Sequence, residues 1–255
     1  MITAKSRERP NKMDTRVLGH RGASAYAPEN TIPAFELALE QGADGVELDV
    51  HLSKDGELIV MHDERVDRTT NAKGFIKDYT LEELKAMEAA NGMQGFAGVR
   101  IPTLAEVYKL FEGSGRIVNV EIKTDIFDYP GICEKLLELE RSAGMTGRVI
   151  YSSFNHYTIL EMLKLCPEAK TGLLYMSIFA APWKYAHEVG AACLHPHFMT
   201  LSRTPDMAKE CKELGLETNV WTVNESAWME RLAKMGVTSL ITNQPDLAKT
   251  VVFGK

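Results

Sequence analysis

Gly45-Val46-Glu47-Leu48-Asp49-Val50 is the stretch on which the fold turns. Side chains alternate across a strand, so Glu47 and Asp49 share one face while Val46, Leu48 and Val50 pack the other way. The run reads as a parallel-sheet strand covered on both faces, where an unpaired carboxylate is costly. Acids in that position point to function. Val118-Asn119-Val120-Glu121-Ile122-Lys123 repeats the design, with Glu121 and Lys123 on one face against Val120 and Ile122. Taken alone, that second pair reads equally well as a structural ion pair.

Working outward, strand candidates recur at 16–20, 45–50, 117–123, 149–153, 171–175, 192–196, 217–222 and 239–242. Amphipathic stretches at helical spacing lie between most of them, for example Ile132, Leu136 and Leu139, or Met229, Leu232 and Ala233. Asn30 or Thr31 before Pro33 reads as a helix cap, and Thr103 with Glu106 as a capping box. Gly42, Gly113, Gly144, Gly215 and Gly236 fall where helices should stop. Eight strands alternating with helices predict an α/β fold, a (β/α)8 TIM barrel with a small insertion after the second strand.

The insertion follows from a spacing. The fifty or so residues between Val50 and Pro102 are too many for a simple strand–helix turn. Lys54-Asp55-Gly56 between two apolar runs predicts a hairpin, and Thr80-Leu81-Glu82-Glu83-Leu84 a short capped helix. The predicted organisation is one catalytic domain over 15–255, with 52–101 a small inserted subdomain and 1–14 a flexible leader. At the catalytic end of a barrel, such an insertion would cover the site.

Composition narrows the partners. With 45% apolar and 25% charged residues, the 255-residue chain is of ordinary globular type. A net charge of −6 argues against nucleic acid, which needs a basic footprint, but not against a small anion held by a cation. Cys133, Cys166, Cys193 and Cys211 form no CxxC pair and read as buried free thiols. Neither an apolar core of signal-peptide length near the N-terminus nor a run long enough to span a membrane is present. The expectation is a cytoplasmic protein without stable membrane association. A homodimer is allowed.

Barrel sites lie at the C-terminal ends of strands, and His20, Asp49, Lys123 and Trp221 fall at such ends. Glu47, Asp49 and Glu121 meeting at one rim would repel one another unless a cation sat among them. Oxygen-only ligation suits one hard divalent ion, Mg2+ or Ca2+. Gly19-His20-Arg21-Gly22-Ala23 and Pro28-Glu29-Asn30-Thr31 precede these acids, and His62-Asp63 closes the apolar run Leu58-Ile59-Val60-Met61. His20 at a strand end reads as a rim residue ahead of a core one. His195-Pro196-His197 invites a metal reading, but no acid lies near it in sequence to complete a site, and both histidines are expected to be dispensable. His51, His156 and His187 read as structural or solvent-facing. Ser152-Ser153 lacks the glycines of a nucleophile elbow.

From Val17 to about Pro245 the ordered motifs resemble the glycerophosphodiester phosphodiesterase family. The resemblance is strongest over 20–70, through Arg68-Thr69-Thr70. It continues with Ile101-Pro102-Thr103-Leu104, Glu121-Ile122-Lys123, Ser153-Phe154, Trp221-Thr222-Val223-Asn224 and Thr242-Asn243-Gln244-Pro245. It implies a metal-dependent phosphodiesterase that releases sn-glycerol 3-phosphate and an alcohol from a small-molecule glycerophosphodiester. By resemblance, His20 and His62 are the acid–base pair and Glu47, Asp49 and Glu121 the metal ligands. Arg21 and Lys123 would hold the phosphate, while Glu29, Phe154 and Trp221 line or buttress the cleft. Asn243 stands where the family often has aspartate, a departure expected to touch no assigned position. Alternatives are a lysophospholipase D-like or phosphoinositide-type phosphodiesterase on the same barrel. A non-catalytic phosphodiester-binding barrel is disfavoured by the intact histidines and acids, and a sugar isomerase or aldolase by the lack of a lysine isolated in an apolar strand.

Overall fold

The computed structural model describes residues 14–254. The predicted leader lies, up to residue 13, outside the described residues. Parallel strands β1 (Arg16–His20), β2 (Gly45–Leu52), β4 (Ile117–Ile122), β5 (Val149–Ser153), β6 (Thr171–Tyr175), β7 (Cys193–Pro196), β8 (Glu217–Val220) and β9 (Ser239–Thr242) follow one another round a sheet. Because β1 pairs with both β2 and β9, the sheet closes. The fold is a (β/α)8 barrel. A further strand, β3 (Leu58–Val60), runs antiparallel to the end of β2 and forms the predicted hairpin.

The outward strand residues supply the core. Val46, Leu48, Val50, Val118, Val120 and Ile122 pack with α1 (Ile32–Glu40), α3 (Leu104–Leu110) and α4 (Ile132–Ser142). A second cluster joins the outward faces of β6 to β9 to α6 (Pro182–Val189), α7 (Met207–Glu213), α8 (Ser226–Lys234) and α9 (Pro245–Phe253). Helix α5 (His156–Leu165) contributes Met162 to the first cluster and Ile159 to the second. Each large aliphatic side chain so buried contributes roughly 1.5–3 kcal/mol of transfer free energy. At the N-terminal end of the barrel, Arg16 and Lys170 both pair with Glu217.

Between β2 and α3 the insertion has its own apolar cluster, which includes Ile59, Met61, Val66, Ile76, Leu84 and Ile101. Helix α2 (Leu81–Ala86) begins with a complete capping box, in which Thr80 Oγ1 accepts from Glu83 N–H. Thr103 and Glu106 form the same motif on α3. The cap predicted for α1 differs. Thr31 Oγ1 donates to the Pro28 carbonyl, and the Asn30 amide reaches Asp49 at 2.8 Å, so neither side chain caps the helix. All four cysteines are free thiols, three of them buried and Cys166 half-buried. Among the described residues no helix is long and apolar enough to cross a membrane.

Candidate active site

Strand register builds the acidic centre. His20 lies opposite Glu47 across β1–β2, and Asp49 opposite Glu121 across β2–β4. Since Glu47 and Asp49 are two apart, the three carboxylates share the barrel interior, with one oxygen of each within 4.8 Å of the others. They are 4%, 0% and 8% exposed. Burial, then the neighbouring Asp49, pushes Glu47 well above the usual carboxylate range. The same two causes push Glu121 up to about 7. For Asp49 burial acts upward most strongly, but Arg21, His62, Lys123 and the Asn30 amide together hold it below its ordinary value.

These acids fit a hard cation. Asp49 Oδ2 accepts from Asn30 Nδ2 at 2.8 Å and lies 3.4 Å from Arg21 Nε, while the buried Oδ1 has no protein partner. An uncommitted, desolvated carboxylate oxygen amid two like groups is stabilised by a cation with oxygen ligands.

Just after β1 the chain reverses through two left-handed residues, Arg21 (φ 54°) and Gly22 (φ 85°). A Cβ on Gly22 would sit 2.5 Å from the Ala34 carbonyl carbon, so only glycine fits against α1. The reversal costs Arg21 some backbone strain and brings its N–H to the backbone carbonyl of Glu47 (2.8 Å) and to Oε2 (3.1 Å). From there its side chain reaches Glu29 at 2.9 Å.

Both candidate histidines are held through Nδ1. His20 Nδ1 lies 2.6 Å from Asn243 Oδ1, across the β1–β9 closure, and His62 Nδ1 lies 2.6 Å from Asp63 Oδ1. An acceptor at Nδ1 places the ring proton there and leaves Nε2 for the cleft. The expectation that Asn243 touches no assigned residue is therefore corrected: closure makes it the direct partner of His20. Burial first, and then Arg21, lowers His20 to about 4. Behind His62, Arg68 clamps Asp63 (2.7 and 3.0 Å) and Glu29 (2.7 and 2.8 Å), joining the insertion to Arg21. Asp63 is held far below the usual range by the Arg68 hydrogen bonds. His51, inside the barrel, lies 3.2 Å from the His62 carbonyl and 3.2 Å from the Tyr129 hydroxyl.

His20, Arg21, Glu47, His62 and Glu121 line one cleft of about 180 Å³, and Phe154 and Trp221 form its opposite wall at 5.5 Å, edge to face. Lys123 and Glu29 do not line it. Lys123 Nζ donates to Glu121 at 2.9 Å, and Glu29 bridges Arg21 and Arg68 from behind. Sequence reasoning missed Asn119, Leu174, Met176, His195 and Ile241 in the lining. His195, expected to be dispensable, is fully buried at the cleft floor with Nε2 3.1 Å from the Asn219 amide. Its ring occupies the space over Gly172, whose absent Cβ would fall 2.4 Å from Nε2. Strand parity was the available signal: Asn119 stands two residues before Glu121 and Asn219 two before Trp221, and both of those line the cleft.

Fold and site together define a (β/α)8-barrel hydrolase with a compact acidic centre. Residues 20–247 match the model of the Glycerophosphoryl diester phosphodiesterase family. A glycerophosphodiester phosphodiesterase of Caldanaerobacter subterraneus subsp. tengcongensis is 48% identical over 235 residues, covering 92% of this chain and 96% of its own. A crystal structure of the Agrobacterium tumefaciens glycerophosphodiester phosphodiesterase aligns with a TM-score of 0.81 at 30% identity, over 92% of this chain and 98% of that one. An Oleispira antarctica phosphodiesterase in complex with the product sn-glycerol-3-phosphate aligns at 0.80 and 28% identity, over 93% and 96%. The chain belongs to the glycerophosphoryl diester phosphodiesterase family.

Proposed function

We propose that this chain hydrolyses glycerophosphodiesters to sn-glycerol 3-phosphate and an alcohol, using a divalent cation and two histidines. The observation that carries the reading is the convergence of Glu47, Asp49 and Glu121 beside two cleft-lining histidines, each held through Nδ1. Glu47, Asp49 and Glu121 would hold the ion, Mg2+ or Ca2+. When bound, the cation supplies charge that neutralises the diester and stabilises the negative charge growing on its oxygens. Arg21, pinned by Glu47, Glu29 and Asp49, adds fixed positive charge that needs no reorganisation during the reaction. Lys123 orients Glu121 and contributes a second positive charge behind it.

One histidine takes the proton of the attacking hydroxyl at Nε2, and the other delivers a proton to the leaving oxygen. The attacking group is water or the glycerol 2-hydroxyl. The insertion, read as a subdomain over 52–101, carries His62 to the rim, and Phe154 and Trp221 pack against the substrate. The product bound by the Oleispira antarctica phosphodiesterase supports a small glycerophosphodiester as substrate.

Exhaustive chelation tests the metal. Turnover of glycerophosphocholine should fall by more than about 10³-fold and return with Mg2+ or Ca2+. Glu47→Ala and Asp49→Ala should lose metal and activity together. Full turnover by protein free of metal would overturn the reading.

A further inference from the structure

The cleft is polar at its floor and apolar at its mouth on one side. At the floor, His195 Nδ1 and Asn119 Oδ1 are buried atoms without a protein partner. The Asn219 amide, at 3.1 Å, occupies His195 Nε2, so Nδ1 is the imidazole nitrogen left for a ligand. Hydroxyls suit both kinds of orphan, since each accepts and donates at once. Buried polar atoms of this kind are normally satisfied, by protein, water or ligand.

At the mouth, the lining continues from Leu174 at the end of β6 to Met176, which faces the cleft and is 60% exposed. The loop beyond it, Met176-Ser177-Ile178-Phe179-Ala180-Ala181, contains no charged residue. Ile178 and Phe179 are 67% and 49% exposed, and Phe179 rests edge-on against Tyr175 at 5.4 Å. On the next loop, after β7, Met199 is 61% exposed. Large apolar side chains grouped beside a cleft mark a surface that contacts a ligand. The acids, arginines and catalytic histidines stand on the opposite side, on β1, β2, β4 and the insertion.

We infer that the cleft takes an amphiphilic diester in one orientation: the unacylated glycerol arm lies on the floor at His195 and Asn119, and an alcohol arm bearing a single alkyl chain lies over Met176, Ile178 and Phe179. The inference rests on the phosphodiesterase reading above and fixes which arm carries the chain. The orphan hydrogen-bonding atoms would be left unsatisfied under a chain, and among the side chains of the uncharged loop only Ser177 could hydrogen-bond a polyol. Hydrolysis breaks the phosphorus–oxygen bond to the alcohol arm. The elements of water are added across it, giving sn-glycerol 3-phosphate and the free long-chain alcohol.

The experiment is a series of glycerophosphoalkanols with alcohol arms from two to eight carbons, assayed below micelle formation. Beside them run isomers that carry the same chain on the glycerol arm with a two-carbon alcohol. Along the first series kcat/KM should rise at least about tenfold, as methylene groups leave water. Chains on the glycerol arm should give no gain. Ile178→Ser with Phe179→Ser should bring the eight-to-two-carbon ratio down toward one. His195→Ala should narrow the preference for glycerol over a propane-1,2-diol arm that lacks the terminal hydroxyl. A flat first series, an equal gain from chains on the glycerol arm, or ratios unmoved by the rim or His195 variants would overturn the inference. So would a flat series accompanied, in light scattering, by a dimer that Ile178→Ser dissociates, because a second copy would then cover the loop. Failure to cleave any member, the two-carbon diester included, would count against the phosphodiesterase reading itself.

Discussion

The two sides of the barrel mouth are built on opposite principles. On the side of β1, β2 and the insertion, charged groups interlock: His62 with Asp63, Asp63 with Arg68, Arg68 with Glu29, Glu29 with Arg21, and Arg21 with Asp49. On the side of β5 to β8, ring edges, thioethers and aliphatic chains meet, as in Phe154 with Trp221 and Tyr175 with Phe179. Stabilising charge in a transition state requires dipoles that are already in place, which a cross-braced network provides. Accepting alcohols of different shape requires surface that repacks at small cost, which Met176 and Met199 provide. On the proposed reading, the difference makes chemistry and substrate choice separable. A substitution on the first side should remove rate, and one on the second should change selectivity or stability.

The largest effects should come from the histidines. His20→Ala and His62→Ala should each lower kcat by about 10²–10⁴-fold, the usual loss when general acid–base catalysis is removed. Metal content should stay close to wild type, which elemental analysis of the purified variants can check. A His20 or His62 variant with near-normal kcat would break the comparison, because the charged side would then not hold the acid–base pair.

A smaller loss is expected one step back from the cleft. Arg68 lies behind His62 rather than in the cleft lining, so Arg68→Ala should lower kcat about tenfold by freeing Asp63 and Glu29. One limb of the pH–rate profile should move with it, and Arg68→Lys should restore part of the rate. Loss of thermal stability with an unchanged profile would show Arg68 to be a brace of the fold only.

The smallest effect concerns His195, on the second side. Burial lowers it from 6.5 to about 3. Between those values the unfolded chain binds a proton that the folded chain does not, so this group makes stability fall as pH drops through that window. His20 and His51, each lowered to about 4, act in the same direction. Glu121, raised to about 7, acts oppositely, since its protonation favours the folded form. His195→Gln isolates one contribution. Its melting temperature should fall less between pH 7 and pH 5 than that of wild type, by a few degrees. Equal slopes would mean that His195 titrates normally and reaches solvent.

Much of this site was legible because its signals are local. Period-two alternation placed Glu47 with Asp49 and Glu121 with Lys123 on inward faces, and the helix spacing between strands gave the barrel. The hairpin at Lys54-Asp55-Gly56 and the capping boxes at Thr80 and Thr103 involve only residues a few positions apart. The cap before α1 failed for two reasons: Thr31 turned its hydroxyl to the nearby Pro28 carbonyl, and Asn30 found a partner in Asp49, on a strand that propensity cannot see.

By itself, then, the sequence determined that Glu47 with Asp49 and Glu121 with Lys123 share inward strand faces, roughly where strands and helices lie, and that His20 stands at a strand end. Those features depend on backbone periods and on capping within a turn, and they hold wherever the segment is placed. Tertiary structure alone decided that Asn243 holds His20 from 223 residues away. It also joined Arg68 to both Asp63 and Glu29, put His195 under the cleft where Gly172 leaves room, and set an apolar loop opposite the charges. Closing the sheet fixes these neighbours, because only closure brings β9 beside β1 and turns the separate loops toward one another around a shared mouth.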